Sequence, residues 1–195
     1  MGTGNIVVLN GVTSAGKSTL SRELQAAFDE PYYYVALDTF NEILCPFGAG
    51  KGKFQDPEIM NSAVSVMHLL IRDFSQNGLN VIVDHILCDY GSWFYDCVDV
   101  LHEYPVMFVR IECNRDELFR RAKSRGYTTP ERLNQIDQQL AKIHKHGTYD
   151  VTISTSENTI EENVMIIKQS LPNRNEWKAF RKLKTIFDEE RYNGR

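Results

Sequence analysis

A chain of 195 residues, 42% of them hydrophobic, has the length of one α/β domain and enough apolar material for a single well-covered core. A net charge of −4 and a pI near 5.7 give no basic field for a polyphosphate backbone, so nucleic acid is not an expected partner. No run approaches the roughly 18 uninterrupted apolar residues of a membrane-crossing helix, and Met1 to Asn5 lead into an apolar strand without a signal peptide's basic and cleavage regions; a soluble, cytoplasmic protein away from the membrane is expected.

Short apolar runs then alternate with amphipathic stretches. Ile6 to Leu9 read as a first strand, and Leu20, Leu24, Ala27 and Phe28 mark the helix after it. Tyr33 to Leu37 read as a second strand. Asp56 and Pro57 read as an N-cap and first turn of a long helix, with Ile59, Ala63, Val66, Met67, Leu70, Ile71 and Phe74 as its apolar face and Gly78 as its stop. This helix is expected to be core rather than site. Val81 to Val83 and Val106 to Ile111 are the third and fourth strands. A helical lid is expected over about residues 114–132, and its second helix, starting near Thr129 and Pro130, turns Leu133, Ile136, Leu140 and Ile143 inward and closes at His144 to Gly147. Val151 to Ile153 form a fifth strand. Residues 173–195, with Trp177, Phe180, Leu183 and Phe187 at helical spacing, are expected to lie on the domain as a C-terminal helix. The alternation predicts an α/β fold of the P-loop NTPase kind: a five-stranded parallel sheet with helices on both faces, in one domain over residues 1–195.

Cys45, Cys88, Cys97 and Cys113 lack the close pairing of a zinc site and the density of a disulfide scaffold, so reduced, mostly buried thiols are expected. His144 and His146, two residues apart, would face different sides of a helix.

Gly11-Val12-Thr13-Ser14-Ala15-Gly16-Lys17-Ser18 stands directly after the first strand and opens a helix, the context a phosphate-binding loop requires. Its glycines let consecutive backbone N–H groups point at phosphate oxygens, Lys17 reaches the β- and γ-phosphates, and Ser18 ligates Mg²⁺. Gly11, Thr13, Ser14, Ala15, Gly16, Lys17, Ser18 and Thr19 are thus the expected ATP contacts. Asp38, at the carboxyl end of the second strand, is the candidate general base for an acceptor hydroxyl, or else a helix N-cap. Val81-Ile82-Val83-Asp84 has the form of a Walker-B strand, so Asp84 joins Ser18 as a metal-site residue, or else caps a turn; His85 after it reads as a satisfied polar residue. Arg115, Arg120, Arg121, Lys123, Arg125 and Arg132 form a basic hairpin, either a solvated face or a closure that carries guanidinium groups to the transferring phosphoryl. Residues 40–54, glycine-rich and flanked by aromatics, read as a loop beside Asp38 that clasps the acceptor, or as core.

These residues resemble the chloramphenicol phosphotransferase family of P-loop kinases. The likeness rests on Leu9-Asn10-Gly11 with Ser14 to Ser18, Leu37-Asp38-Thr39, Val81 to Asp84, Arg110 to Cys113, and His144 with Gly147 to Val151. It implies a kinase fold using ATP and Mg²⁺, a catalytic carboxylate at Asp38, and lid arginines at Arg121, Arg125 and Arg132. Three departures stand beside it: His85 where the family carries a second Asp, a longer lid, and unrelated residues 40–54. The expected activity is transfer of the ATP γ-phosphate to a hydroxyl of a small antibiotic-like molecule or metabolite, with Asp38, Lys17, Arg125 and Arg132 catalytic and Arg121 on the nucleotide. A nucleoside or nucleotide kinase and a non-kinase ATP-binding switch are the alternatives, and a homo-oligomer is left open.

Overall fold

A computed structural model of the chain describes residues 2–44, 56–88 and 91–193, with the side chains of 41–44 outside the description. Five strands, β1 (Ile6–Asn10), β2 (Tyr32–Ala36), β3 (Asn80–His85), β4 (Val106–Glu112) and β5 (Val151–Ser154), pair in parallel in the order β2-β3-β1-β4-β5. The connections are α1 (Lys17–Ala27), α2 (Leu37–Leu44), α3 (Pro57–Gln76), α4 (Ser92–Leu101), α5 (Arg115–Ser124), α6 (Pro130–Leu140) and α7 (Ile160–Ser170), and α8 (Ala179–Asn193) ends the described chain.

Strand alternation sorts the core into two layers. Val7 and Leu9 of β1 turn to one face, under Leu20 and Leu24 of α1, Leu118 of α5 and Ile167 of α7. Ile6 and Val8 turn to the other, under Met67 and Ile71 of α3, Phe94 and Val98 of α4, and Phe180, Leu183 and Phe187 of α8. A central parallel strand covered on both sides must be apolar throughout, as Ile6 to Leu9 are. Gly4, just before β1, is fixed by close approach: a Cβ there would lie 2.2 Å from the Leu79 carbonyl oxygen. Its amide donates to Ser75 O at 2.7 Å and its carbonyl accepts from Ser75 Oγ at 2.6 Å, which ties the start of β1 to the turn after α3.

Three local expectations change. The buried face of α3 is Val64, Met67, His68, Ile71 and Ser75, while Ile59, Val66 and Leu70 are exposed. α6 ends at Leu140, so His144 and His146 lie in the turns that follow and converge on one hydroxyl, that of Tyr149, at 2.7 and 3.0 Å. The stretch expected to loop after Asp38 starts as α2, and residues 45–55, with Cys45, lie outside the described residues. Cys88, Cys97 and Cys113 are thiols, and Cys97 is fully buried. Among the described residues no helix is long and apolar enough to cross a membrane.

Candidate active site

The carboxyl ends of β1, β2 and β3 bring the candidate residues together. After Asn10 the backbone curls through Ser14 at φ 66° and Gly16 at φ 89°, left-handed values that turn successive amides inward as an anion nest. Gly11 is closely packed, since a Cβ would meet Ile111 Cβ at 3.0 Å. Ser14 is buried, and its Oγ has no hydrogen-bond partner among the described residues, a polar atom suited to a phosphate oxygen. Lys17 is 7% exposed and donates to the carbonyls of Gly11 and Val12 at 2.8 and 3.0 Å. Burial pushes its ammonium below the ordinary lysine value, against the opposing pull of Asp84 and Asp38.

Ser18 Oγ donates to Asp84 Oδ2 at 2.8 Å, and Asp84 Oδ1 lies 3.5 Å from Lys17 Nζ. Tyr34, on the neighbouring strand β2, donates its hydroxyl to the same Asp84 oxygen at 3.2 Å. Burial first, and Asp84 second, push that phenol up to about 12. A hydroxyl beside one oriented carboxylate fits Mg²⁺, a hard cation that keeps much of its shell as water and substrate phosphate. Among the described residues no group of three or more His, Cys, Asp or Glu gathers into a richer metal site.

Asp38 sits in the first turn of α2, directly after β2, and is exposed. It lines two cavities at once. One, of about 520 Å³, is walled by Ile86, Cys88, Trp93 and Asn61 and by the lid residues Tyr127, Arg132 and Gln139. The other, of about 480 Å³, contains Ser18, Tyr34 and Asp84 with Arg22, Ile86 and Trp93. A third, of about 380 Å³, lies on the opposite flank of the phosphate loop, between Gly16, Thr19, Arg121, Arg125, Thr155 and Asn163.

The lid arginines are thereby divided. Arg121 and Arg125 face the third cavity and Arg132 the first, where its guanidinium lies 5.5 Å from the Tyr127 ring centroid. Arg121 is anchored by Glu117 at 2.6 Å and by Thr155 Oγ1 and O at 3.1 and 2.6 Å. Arg115 and Arg120 are committed elsewhere, to Asp137 and Glu117 in exposed ion pairs, which is the solvated-face reading for those two. His85 is buried and hydrogen-bonded, a satisfied polar residue.

Four contributors escape a reading of the sequence. Tyr34 and Thr155 act through partners 50 and 140 residues away, Asp84 and the Ala15 carbonyl, the latter at 2.8 Å. Gln139 of α6 accepts the Thr13 N–H at 2.8 Å, joining lid to phosphate loop. Trp93 opens α4 after β3, and only the position of that helix start at a strand's carboxyl end hints at it.

The family model for chloramphenicol phosphotransferase-like proteins matches residues 4–172, most of the chain. The chain belongs to that family. Another relative is a Mycobacterium tuberculosis (strain H37Rv) protein provisionally named an O-phosphotransferase, 25% identical over 184 residues that cover 83% of this chain and 80% of that one. The fold of this chloramphenicol phosphotransferase-like protein is that of P-loop kinases. The APS kinase of M. tuberculosis, solved with AMPPNP and APS, superposes with TM-score 0.66 at 13% identity, over 88% of this chain and 99% of that one. Shikimate kinase from Acinetobacter baumannii, solved with shikimate, superposes with TM-score 0.62 at 14% identity, over 89% and 94%.

Proposed function

We propose that this protein is an ATP-dependent kinase that phosphorylates a hydroxyl of a small, uncharged molecule. The observation that carries the reading is the position of Asp38, shared by the cavity that holds Ser18 and Asp84 and by the cavity roofed by the lid. The nucleotide side is the phosphate loop, with amides, Lys17 and the Ser14 hydroxyl for the phosphates and the Arg121, Thr155 and Asn163 cavity for the nucleoside. Ser18 and Asp84 are the residues that would hold Mg²⁺, which supplies charge neutralisation on the phosphate oxygens when bound.

Among the described residues that line the acceptor side, Asp38 and Arg132 carry charge, beside neutral groups such as Asn61, Gln135, Gln139, Trp93 and Tyr127. That lining suits hydroxyls and an apolar surface, and offers a carboxylate or phosphate acceptor little compensation for desolvation. Asp38 accepts the proton of the acceptor hydroxyl as the new O–P bond forms and the bond from Pγ to its bridging oxygen breaks, leaving ADP and the phosphate ester. Lys17, Arg125 and Arg132 take the charge that builds on the transferring group.

The test is transfer from γ-labelled ATP with Mg²⁺ to a panel of alcohols, neutral antibiotics among them, run beside Asp38→Asn and Lys17→Ala. Loss of a general base is expected to lower kcat by about 10²–10⁴ while ATP affinity holds within about twofold. ATP binding with no labelled product, indifferent to Asp38, would instead make the protein a nucleotide-dependent switch.

A further inference from the structure

At the carboxyl end of β3, next to Asp84, two imidazoles and a carboxylate form a chain that the proposed phosphoryl transfer does not use. His68 Nδ1 lies 2.5 Å from Asp96 Oδ2, and His68 Nε2 lies 3.0 Å from His85 Nε2. The Ile86 amide donates to His85 Nδ1 at 2.9 Å. Both rings are buried, at 0% and 3% exposure.

One arrangement of protons satisfies every contact. A backbone amide only donates, so His85 Nδ1 is bare and the neutral ring carries its proton on Nε2. His68 Nε2 must then accept, and His68 holds its own proton on Nδ1, aimed at Asp96. The hydrogen-bonded series therefore ends on a peptide N–H, that of Ile86. Its action is mechanical.

What it holds is the wall beside Asp38. Ile86 lines both cavities that meet there, and its amide is the group His85 grips; the next residue, Leu87, has its N–H and C=O held by the Asn10 side chain at 2.7 and 3.1 Å. The outer end joins helices. Asn61 and His68 are two turns apart on one face of α3, and Trp93 and Asp96 are one turn apart on α4. The helices are thus bridged by two polar rungs, His68 to Asp96 inside and Trp93 Nε1 to Asn61 Oδ1, at 2.6 Å, at the cavity. The His85 ring also lies 6.1 Å from that of Trp93.

We propose that Asp96, His68 and His85 are positioning residues that fix Ile86 and Trp93 as the acceptor wall, independently of the nucleotide side. The word acceptor rests on the kinase reading above, and the chain itself does not.

The experiment uses the full chain with Trp177→Phe, which leaves Trp93 as the single tryptophan. Nitrogen-15 NMR of the histidines is expected to find the His68 proton on Nδ1 and the His85 proton on Nε2; the reverse assignment would overturn the chain. Asp96→Ala and His68→Leu should red-shift Trp93 emission and raise its acrylamide quenching. Asp96→Asn, whose amide oxygen still accepts from His68, should keep both at the parent values. Trp93 unmoved in all three, or affinity for a fluorescent ATP analogue lost together with the wall, would refute the assignment. For any alcohol the panel identifies, Asp96→Ala should raise its KM about tenfold with kcat and the KM for ATP within about threefold. If the parent protein phosphorylates no alcohol, the kinase reading falls, while the NMR and tryptophan results still decide the chain.

Discussion

Mild acid is expected to destabilise this protein through its imidazoles. Burial is the main cause that pushes His144 and His146 down to about 4 from the ordinary 6.5; Arg110 adds to both, and the His144 imidazole to His146. Their hydrogen bonds require the neutral rings. The Thr148 amide donates to His146 Nδ1 at 3.0 Å, so His146 presents Nε2–H to the Tyr149 oxygen, which Asn10 Nδ2 also reaches at 3.0 Å. With that oxygen filled, the hydroxyl gives its own proton to His144 Nδ1 at 2.7 Å, the nearer acceptor compared with Ile143 O at 3.2 Å. His85 is pushed well below the ordinary value as well, by burial first and His68 second. Folded values below the unfolded one mean that the stabilisation is complete above about pH 6.5 and is lost as pH falls toward 4, because the unfolded chain takes up the protons first. Between about pH 7.5 and pH 5, one such imidazole is worth about 2 kcal/mol. His144 and His146 together are expected to give about 4 kcal/mol, and His85 adds in the same direction. That is a large part of the total stability of an ordinary domain, about 5–15 kcal/mol. Urea unfolding followed by circular dichroism should show the midpoint fall by roughly 1–2 M over that interval. In a His144→Asn, His146→Asn protein the pH difference should shrink by about 4 kcal/mol, to the remainder that His85 contributes. A midpoint independent of pH, or a pH difference untouched by the double substitution, would refute the reasoning.

Gly4→Ala puts a Cβ 2.2 Å from the Leu79 carbonyl oxygen and must displace the paired bonds to Ser75, at an expected cost of about 2–4 kcal/mol in urea unfolding. An unchanged midpoint would mean that the strand start shifts freely. Tyr34→Phe removes a 3.2 Å bond to the Asp84 carboxylate, about 1.5 kcal/mol, so the Mg²⁺ concentration for half-maximal nucleotide binding should rise about tenfold while binding in EDTA is unaltered. Thr155→Val keeps the shape but deletes the bond to the Ala15 carbonyl and a partner of Arg121, and should weaken a fluorescent ATP analogue about fivefold to tenfold. Equal affinity would remove Thr155 from the nucleotide side.

What the sequence makes legible is what short-range patterns determine. The five strands and the α8 stripe of Phe180, Leu183 and Phe187 rest on spacing and on turn chemistry, and the structure has them, together with a backbone that turns left-handed at Ser14 and Gly16 after β1. The α3 face is mistaken because two of its inward residues are polar: His68 and Ser75 are buried against His85, Asp96 and Gly4, partners that no local period reveals. The same reason hides Tyr34 and Thr155, ordinary strand and loop residues until the sheet brings Asp84 and Ala15 to them. His144 and His146 fail differently. A helix carried past Leu140 would separate them, whereas the observed turns bring both to Tyr149.

The two sides of the site are made of different material, which bears on how each tolerates change. The proposed phosphate side is backbone: left-handed Ser14 and Gly16, amides, and the carbonyls that hold Lys17. Few substitutions there alter its chemistry without straining its shape, as the tight packing at Gly11 illustrates. The other side is side chains, with Asn61, Trp93, Tyr127 and Gln139 carried on three helices and the lid turn, so replacement there reshapes the cavity while the loop stays put. The halves meet at Ile86 and Leu87, gripped by His85 from one direction and Asn10 from the other. Asn10 also donates to Tyr149, so this short segment is where the β3 imidazole chain and the tyrosine–histidine cluster pull on the same backbone. On the proposed kinase reading, a change of acceptor with the nucleotide side kept must alter the residues hung beyond that segment and leave the segment itself alone.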